Sequence, residues 1–265
     1  MEMMDQPDTG LITQIADDIA THAPFNAYAD RMSDTLDAGY DIQDQVAAML
    51  QARGIRAAPC GYKLAVNAQH LMAHFALSAP CFGRLFSDQK WQSPAQLSAA
   101  DYSDLWIEVE IMAVMARDLP PRPGGHDRAS AEAAVALYLP AIELVDARGL
   151  EIATARLSSV VAQNITTEGI VVGGPGLAPA ALEVATLPVR LTFDGQVVGE
   201  TTGTAPQHPG DALAALANHL GARGGMLKAG DVVICGTHLP PPSIGGAGHV
   251  VADMGPLGTV EFTIS

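Results

Sequence analysis

The sequence is poor in positive charge. Its 14 lysines and arginines stand against 29 aspartates and glutamates, so the formal net charge is −15 at pH 7. An acidic surface repels the phosphates of nucleic acids and anionic lipids, so neither is a natural partner. Charged residues make up only 16% of the chain and hydrophobic residues 48%, so we expect a folded globular protein.

Cysteine is scarce, and long apolar runs are missing. The three cysteines, Cys60, Cys81 and Cys235, include no CxxC pair, which argues against a disulfide framework and against a thiolate zinc site. No stretch approaches the roughly 20 apolar residues that span a bilayer. Residues 1–5 lack the basic segment and the following apolar core of a secretory signal. We therefore expect a protein of the reducing cytoplasm.

Helical patterns dominate the first part of the chain. Leu11, Ile12, Ile15 and Ile19 recur at the spacing of one face of a helix. Similar patterns, with Gly54 as a C-terminal cap of the second helix, predict further helices at residues 37–53, 68–77, 129–138 and 209–222.

Strand patterns dominate the remainder. Residues 106–115 alternate, and residues 187–199 are typical of a hairpin with Asp194-Gly195 as its tight turn. Further strands are predicted at 61–66, 139–145, 170–173, 231–235 and 260–264, whereas 157–164 is ambiguous and 236–248 is a long loop. This segregation predicts an α+β fold with a mainly helical region at 1–77 and a β-rich catalytic region at 78–265.

Two glutamates share one face of the strand at 106–115. Glu108 and Glu110 lie two residues apart, roughly 7 Å along the strand. In the protein interior two such carboxylates repel each other and are costly to desolvate, and a cation between them removes both penalties. Oxygen ligands favour a hard ion such as Mg²⁺ or Mn²⁺. The other interpretation is a strand with one face in solvent, in which both glutamates are exposed to water.

Glu143 and Lys63 are single charges within apolar, strand-like segments. Glu143 is either a surface residue at a strand end or the third carboxylate of a site with open positions for substrate and water. Lys63 is either an edge lysine whose ammonium reaches water or a functional group. In the second case it acts as a base or as the electrostatic partner of a developing enolate.

An ordered set of short motifs resembles one known family. The motifs are Gly61-Tyr62-Lys63, Glu108-Val109-Glu110-Ile111, Arg117-Asp118-Leu119-Pro120, Pro140-Ala141-Ile142-Glu143, Val161-Ala162-Gln163-Asn164, His208-Pro209 and Ala229-Gly230-Asp231-Val232-Val233 leading to Gly236. In this order, and with Tyr40-Asp41-Ile42-Gln43 before them, they resemble the 2-keto-4-pentenoate hydratase / 4-oxalocrotonate decarboxylase group of the fumarylacetoacetate hydrolase superfamily. Each motif alone is weak, whereas the set covers about residue 36 to the C-terminus.

The resemblance implies a helical N-terminal part, a mixed β-sandwich or roll, and Mg²⁺ or Mn²⁺ held by Glu108, Glu110 and Glu143. It implies a cytoplasmic homo-oligomer that hydrates a 2-hydroxy-2,4-dienoate to a 4-hydroxy-2-oxo acid in aromatic-compound catabolism. Association with a related decarboxylase or aldolase is a further expectation. Lys63 and Thr166 are the expected catalytic residues. The alternatives are a 4-oxalocrotonate-type decarboxylase, an acylpyruvate-type C–C hydrolase and an inactive partner subunit.

Two segments depart from the family pattern. The family's Pro-Asp-(Tyr/Phe)-Gly is Pro-Cys-Phe-Gly at 80–83, so a thiol replaces a pocket carboxylate. Its Asp-Asn-Ala-Ser is Gln-Asn-Ile-Thr at 163–166, where the last residue keeps a hydroxyl but the first is no longer a carboxylate base. We therefore expect the substrate to be bound, and substrate specificity to be determined, by Cys81, Gln163 and Asn164. Because its neighbours are apolar, we hypothesise that Cys81 lines the pocket without acting as a nucleophile.

Overall fold

A computed structural model describes residues 8–265. The expectation about a secretory signal concerns residues 1–5, which lie outside the described part. The helices are α1 (Thr9–Ala20), α2 (Leu36–Ala52), α3 (Gln69–His74), α4 (Arg128–Glu132), α5 (Leu157–Ala162) and α6 (Pro209–Ala222). The strands are β1 (Pro59–Ala65), β2 (Cys81–Phe86), β3 (Lys90–Gln92), β4 (Ala95–Leu97), β5 (Leu105–Met115), β6 (Val135–Asp146), β7 (Thr167–Val172), β8 (Gly174–Pro175), β9 (Pro188–Phe193), β10 (Gln196–Thr202), β11 (Val232–Thr237), β12 (Gly248–Asp253) and β13 (Gly258–Ile264).

Helices α1 and α2 begin at side-chain caps and pack against each other. The carboxylate of Asp8 accepts a hydrogen bond from an amide in the first turn of α1, and the hydroxyl of Thr35 does the same for α2. Their apolar faces form one buried cluster, to which Ile15 and Val46 belong. Gly54 follows α2 with a φ of +70°, as expected for a residue that ends a helix.

The strands form two sheets. The seven-stranded sheet has the order β2-β1-β11-β5-β6-β7-β3, and the other has the order β10-β9-β12-β13-β4 with β8 added beside β13. The main core lies between the sheets, where Ile107 and Val109 of β5 and Val250 and Phe262 of the second sheet belong to one buried cluster. This architecture confirms the α+β prediction.

The seven-stranded sheet curls into a roll. Strand β2, at one edge of the sheet order, contacts β7 near the other edge. The face turned away from the second sheet therefore encloses an interior of its own, which we call the roll interior. Its apolar part is lined by residues of five strands, namely Leu85, Met112, Ala141, Ile170, Val172, Val232 and Ile234.

The prediction of a helix at 129–138 is wrong for its second half. Helix α4 ends at Glu132, and β6 begins at Val135. Val135 pairs with Met115, and the β5–β6 ladder continues from there to the pair of Leu105 with Asp146. The ladder with β5 and the burial of Val135 and Tyr138 outweigh the local helical preference of this alanine-rich segment. The sequence patterns also missed β2, β3, β4, β8 and β12, of which β3 and β4 have three residues each and β8 has two.

The predicted division at residue 77 stays a prediction. Strand β1 lies before that position and pairs with β2 and β11 inside the seven-stranded sheet.

No helix among residues 8–265 combines the length and apolarity that a membrane crossing needs.

Candidate metal centre

The ladder between β5 and β6 brings the three glutamates together. Glu108 lies directly opposite Glu143, and Glu110 is the next residue of β5 on the same face. One carboxylate oxygen from each glutamate lies within 4.8 Å of the others. Glu110 and Glu143 are 0% exposed, so the solvent-facing interpretation is excluded for both. Only Glu108 is partly exposed, which places it at the rim of the cluster.

Lys63 reaches this cluster from the far side of the roll. Its strand, β1, is separated from β6 by β11 and β5, so in a flat sheet the two would be about 14 Å apart. The Lys63 ammonium nevertheless lies 3.0 Å from Oε1 of Glu143. Lys63 is only 2% exposed, which excludes the interpretation that it is an edge lysine whose ammonium reaches water. Curling of the sheet therefore completes the site.

Burial and mutual repulsion dominate the electrostatics of the cluster. Burial raises the pKa of Glu110 well above its usual value, and the charges of Glu143 and Glu108 raise it further. Burial likewise raises the pKa of Glu143, against the lowering effect of the Lys63 ammonium. For Lys63, burial lowers the pKa, but the three carboxylates outweigh it and the net direction is upward. One lysine thus offsets only part of the negative charge.

The unpartnered oxygens of the cluster fit a divalent cation. Oε1 of Glu110 and Oε2 of Glu143 are buried and have no hydrogen-bond partner within residues 8–265. The other oxygen of Glu110 accepts a hydrogen bond from the backbone N–H of Gly236 at 2.5 Å. Buried carboxylate oxygens without partners carry a large desolvation cost, which a hard cation among them removes. The donor set consists of carboxylates only, as Mg²⁺ and Mn²⁺ prefer.

Cys81 lies on the same face of the β1–β2 ladder as Lys63. In the β1–β2 ladder Lys63 pairs with Gly83 and Ala65 with Cys81, so all four residues face the same way. Burial raises the pKa of the Cys81 thiol to about 11, although the nearby ammonium of Lys63 acts in the opposite direction. The thiol is therefore protonated at neutral pH, which is unfavourable for a nucleophile.

A left-handed turn packs the predicted 164–166 segment against β2. Asn164, Ile165 and Thr166 have φ values of +54°, +53° and +51°. The side chain of Asn164 accepts from the backbone N of Arg84 at 2.7 Å and donates to the backbone O of Arg84 at 2.9 Å. The turn therefore lies directly on Gly83, where a Cβ would come within 3.1 Å of both Lys63 Cγ and Asn164 O. Three consecutive non-glycine residues with positive φ are rare, and such strain accumulates at functional sites.

Gln163 points away from the carboxylates. Its Oε1 accepts from Arg148 Nη2 at 3.1 Å, and its Nε2 donates to the backbone oxygens of Asn26 and Ser159 at 2.8 and 3.3 Å. The amide thereby ties α5 to the segment between α1 and α2. The structure brings Glu108, Glu110, Glu143 and Lys63 to one interior, with the 164–166 turn beside Lys63. It places Cys81 on the same face of the β1–β2 ladder as Lys63 and directs the Gln163 side chain elsewhere.

Sequence reasoning missed two features that shape the site. One is the backbone N–H of Gly236, which holds Glu110. The other is Gly61, where a Cβ would lie 1.9 Å from the carbonyl oxygen of Val232 on β11. A glycine within a strand pattern signals a bulge or a close backbone approach. Gly61, in the predicted strand 61–66, carried this signal, whereas Gly236 stood at the start of the predicted loop 236–248.

Comparisons with known proteins agree with this architecture. Residues 88–265 match the family model described as fumarylacetoacetate (FAA) hydrolase C-terminal. The chain is 29% identical over 234 residues to a 2-hydroxyhexa-2,4-dienoate hydratase of Comamonas testosteroni, covering 86% of this chain and 87% of the relative. It is 30% identical over 198 residues to a 4-oxalocrotonate decarboxylase of Pseudomonas sp. (strain CF600), covering 74% and 73%.

A solved structure shows the same fold over nearly the whole chain. The 4-oxalocrotonate decarboxylase from Pseudomonas putida G7, complexed with magnesium and adipate, superimposes with a TM-score of 0.86 at 24% identity and covers 97% of this chain and 96% of that chain. The family match covers well over half of the sequence and includes β5 and β6, which carry the three carboxylates. The chain therefore belongs to the fumarylacetoacetate hydrolase family.

Proposed function

We propose that this protein is a metal-dependent hydro-lyase that adds water to a 2-hydroxy-2,4-dienoate and yields a 4-hydroxy-2-oxo acid. The observation that carries the proposal is the buried cluster of Glu108, Glu110 and Glu143 facing Lys63 in the roll interior. A hydratase of a hexadienoate is among the relatives, which supports this reaction class. We further propose that the reaction belongs to the catabolism of aromatic compounds.

The proposed residue roles follow from position and charge. The three glutamates would hold Mg²⁺ or Mn²⁺, which when bound supplies a Lewis acid for the 2-oxo and carboxylate oxygens of the substrate. Lys63 would transfer a proton during ketonisation of the dienol and would stabilise negative charge on the substrate. Thr166 is the proposed second catalytic residue, since its turn packs on β2 beside Gly83 and Lys63.

Substrate binding is proposed for Cys81, Asn164 and Gln163 in different ways. Cys81 faces the interior and would present a neutral thiol to the substrate chain. The side-chain amide of Asn164 is hydrogen-bonded to the backbone of β2, so Asn164 would act by holding the turn against the site. Gln163 would act further away, by anchoring the segment between α1 and α2.

Decarboxylation of a 4-oxalocrotonate-type substrate is the second candidate. It is favoured by the Pseudomonas relative of that name, which reaches 30% identity. Loss of CO₂ from such a substrate leaves negative charge that the same lysine and the same metal site would stabilise, so the geometry serves both reactions.

We also propose that the protein is a cytoplasmic homo-oligomer that associates with a related decarboxylase or aldolase. The proposal follows from the family membership. Size-exclusion chromatography with light scattering of the purified protein, alone and mixed with such a partner, tests it. A monomer at micromolar concentration would contradict the first part, and unchanged elution of the mixture would contradict the second.

An ultraviolet time course tests the proposed reaction. Purified protein with Mg²⁺ is mixed with freshly generated 2-hydroxypenta-2,4-dienoate, and a Glu108→Ala/Glu110→Ala variant serves as control. We expect metal-dependent loss of the dienoate absorbance with the wild type only. A parallel reaction with 4-oxalocrotonate, in which CO₂ is measured, tests the second candidate. No turnover of either substrate by metal-loaded protein would contradict both.

A further inference from the structure

Strand β11 carries a bulge beside Glu110. Ile234 pairs with Met112 and Thr237 pairs with Glu110, so β11 has one residue more than β5 between the two pairs. A bulge turns backbone groups out of the ladder and re-aims them. Here the N–H of Gly236 donates to Oε2 of Glu110 at 2.5 Å. The bulge therefore supplies a backbone donor to a glutamate of the metal centre.

Asn67 holds the other end of the same peptide group. Its Nδ2 donates to the carbonyl oxygen of Cys235 at 2.9 Å, and the residue is only 7% exposed. Because a carbonyl oxygen only accepts hydrogen bonds, the amide nitrogen must be the atom that faces it. The Cys235 carbonyl and the Gly236 N–H belong to one planar unit, so fixing the first also fixes the direction of the second.

Two unusual backbone conformations bring these groups together. Val66, directly before Asn67, has a φ of +55°, which is a genuine outlier for a β-branched residue. Gly236 has a φ of +109°, and a Cβ there would lie 2.3 Å from Nδ2 of Asn67. A conformation that local sterics disfavour persists only where the surrounding structure imposes it. At Val66 the adjacent constraint is the hydrogen bond from Asn67 to the Cys235 carbonyl, whereas Gly236, as a glycine, adopts its positive φ without steric cost.

We propose that Asn67 is a positioning residue of the metal centre and that it orients Glu110 through the Cys235–Gly236 peptide. The carboxylate is held by Oε2, while Oε1 has no hydrogen-bond partner within the described residues and would be available to a cation. Without Asn67, the buried Cys235 carbonyl loses its donor and the peptide gains freedom to rotate. The inference rests on the proposed metal site and adds to it a residue that touches neither metal nor substrate.

Binding of Mn²⁺ to the metal-free protein tests this role without any substrate. The dissociation constant is measured by electron paramagnetic resonance and by calorimetry for the wild type, Asn67→Ala and Asn67→Asp. An ionised aspartate keeps the size and shape of asparagine but cannot donate to the Cys235 carbonyl, whereas alanine removes the donor in every protonation state. Gln43→Ala is the matched control, because Gln43 is also a buried amide that donates to backbone carbonyls, those of Phe82 and Val161.

We expect the dissociation constant for Mn²⁺ to rise about ten- to a hundredfold in both Asn67 variants, the usual effect of losing a group that orients a metal ligand. Gln43→Ala should bind Mn²⁺ within about twofold of the wild type, although its thermal stability falls. Wild-type affinity in Asn67→Ala, or an equal loss in Gln43→Ala, would overturn the proposal. Failure of the wild type itself to bind Mn²⁺ would instead contradict the proposed metal site.

Discussion

At the scale of single residues, the buried glutamate cluster lowers the stability of the metal-free fold. Glu110 is fully buried, lies beside two other carboxylates and has one oxygen without a partner. In the absence of a cation, these features raise the free energy of the folded state. Binding of a divalent cation would therefore reduce the electrostatic repulsion among the three carboxylates.

Glu110→Gln should remove the repulsion and the metal site together. A glutamine still offers an oxygen to the Gly236 N–H but carries no charge. The free energy of unfolding of the metal-free variant should therefore equal that of the wild type or exceed it by up to about 1 kcal/mol. The wild type should gain about 2.7 kcal/mol at a Mg²⁺ concentration 100 times the dissociation constant, and the variant should gain almost nothing. Thermal unfolding in EDTA and in Mg²⁺ measures both quantities.

A surface glutamate provides the control for this prediction. Glu151→Gln removes an exposed carboxylate that lies outside the cluster, so the Mg²⁺-dependent gain should be retained in full. A metal-free Glu110→Gln protein that is much less stable than the wild type would show that the charge of Glu110 stabilises the fold, contrary to this account.

Cys81→Ala should retain most of the activity. The thiol is buried with a pKa raised to about 11, so it is protonated at pH 7 to 8 and adds packing rather than nucleophilicity. Steady-state kinetics of the variant should show kcat within about threefold of the wild type, whereas removal of a general acid or base costs about a hundredfold or more. Complete loss of turnover in a folded Cys81→Ala protein would make the thiol a direct participant.

At the scale of elements, the long amphipathic segments were predictable, whereas most short strands and the 135–138 segment were not. Helices α2 and α6 and the hairpin of β9 and β10 agree with the sequence patterns, including the Asp194-Gly195 turn, whose residues both have positive φ. Local pattern suffices there because each element carries its own caps or turn residues. The 135–138 segment had no such marker, and pairing with β5 decided its state.

Gly61→Ala should break the contact between β1 and β11. These strands run parallel, and Gly61 pairs with Val232, whose carbonyl oxygen would lie 1.9 Å from an added Cβ. Backbone cannot yield as a flexible side chain does, so we expect a loss of about 3 kcal/mol or more in the free energy of unfolding. The position of Lys63, two residues along β1, should shift with the strand and reduce activity.

Urea unfolding of Gly61→Ala beside Gly246→Ala measures this effect. A Cβ at Gly246 would meet no atom within 4 Å, and its φ lies outside the left-handed region, so its stability should match that of the wild type within about 0.5 kcal/mol. Equal unfolding midpoints for the two variants would refute the close-approach argument.

At the scale of the whole molecule, buried histidines couple stability to pH. His219 lies on α6 next to Tyr40 of α2 and Phe82 of β2, where burial lowers its pKa to about 4. Arg223 and Arg84 lower the pKa further, while Asp44 and Asp37 act in the opposite direction. Burial also lowers the pKa of His238 to about 4.

Stability should therefore fall as the pH drops below about 6.5. Between the folded-state pKa near 4 and the unfolded-state value near 6.5, the unfolded chain binds more protons, so acid favours unfolding. Because His219 is only half-buried, its contribution between pH 7.5 and pH 5 should be about 1 kcal/mol, less than the full linkage value. Urea unfolding at both pH values for the wild type and for His219→Gln should show a smaller difference in the variant. An identical difference in both proteins would exclude His219 as the cause.

The sequence alone was sufficient for properties that depend on local periodicity. Alternation along residues 106–115 put Glu108 and Glu110 on one face, and the strand pattern around Glu143 made it a candidate third ligand. The β5–β6 pairing places Glu143 opposite Glu108. The ordered motifs were sufficient for the family. These features survive folding because a strand presents every second residue to the same side, whatever it pairs with.

Only the tertiary structure decided what meets these glutamates. Lys63 reaches Glu143 because the sheet curls, and curling depends on the twist and closure of all seven strands rather than on the sequence near either residue. The bulge that aims Gly236 at Glu110 depends on the register between β11 and β5. The direction of the Gln163 amide depends on where the segment between α1 and α2 lies. Contacts between residues distant in sequence leave no local periodicity, so they became visible only in the folded chain.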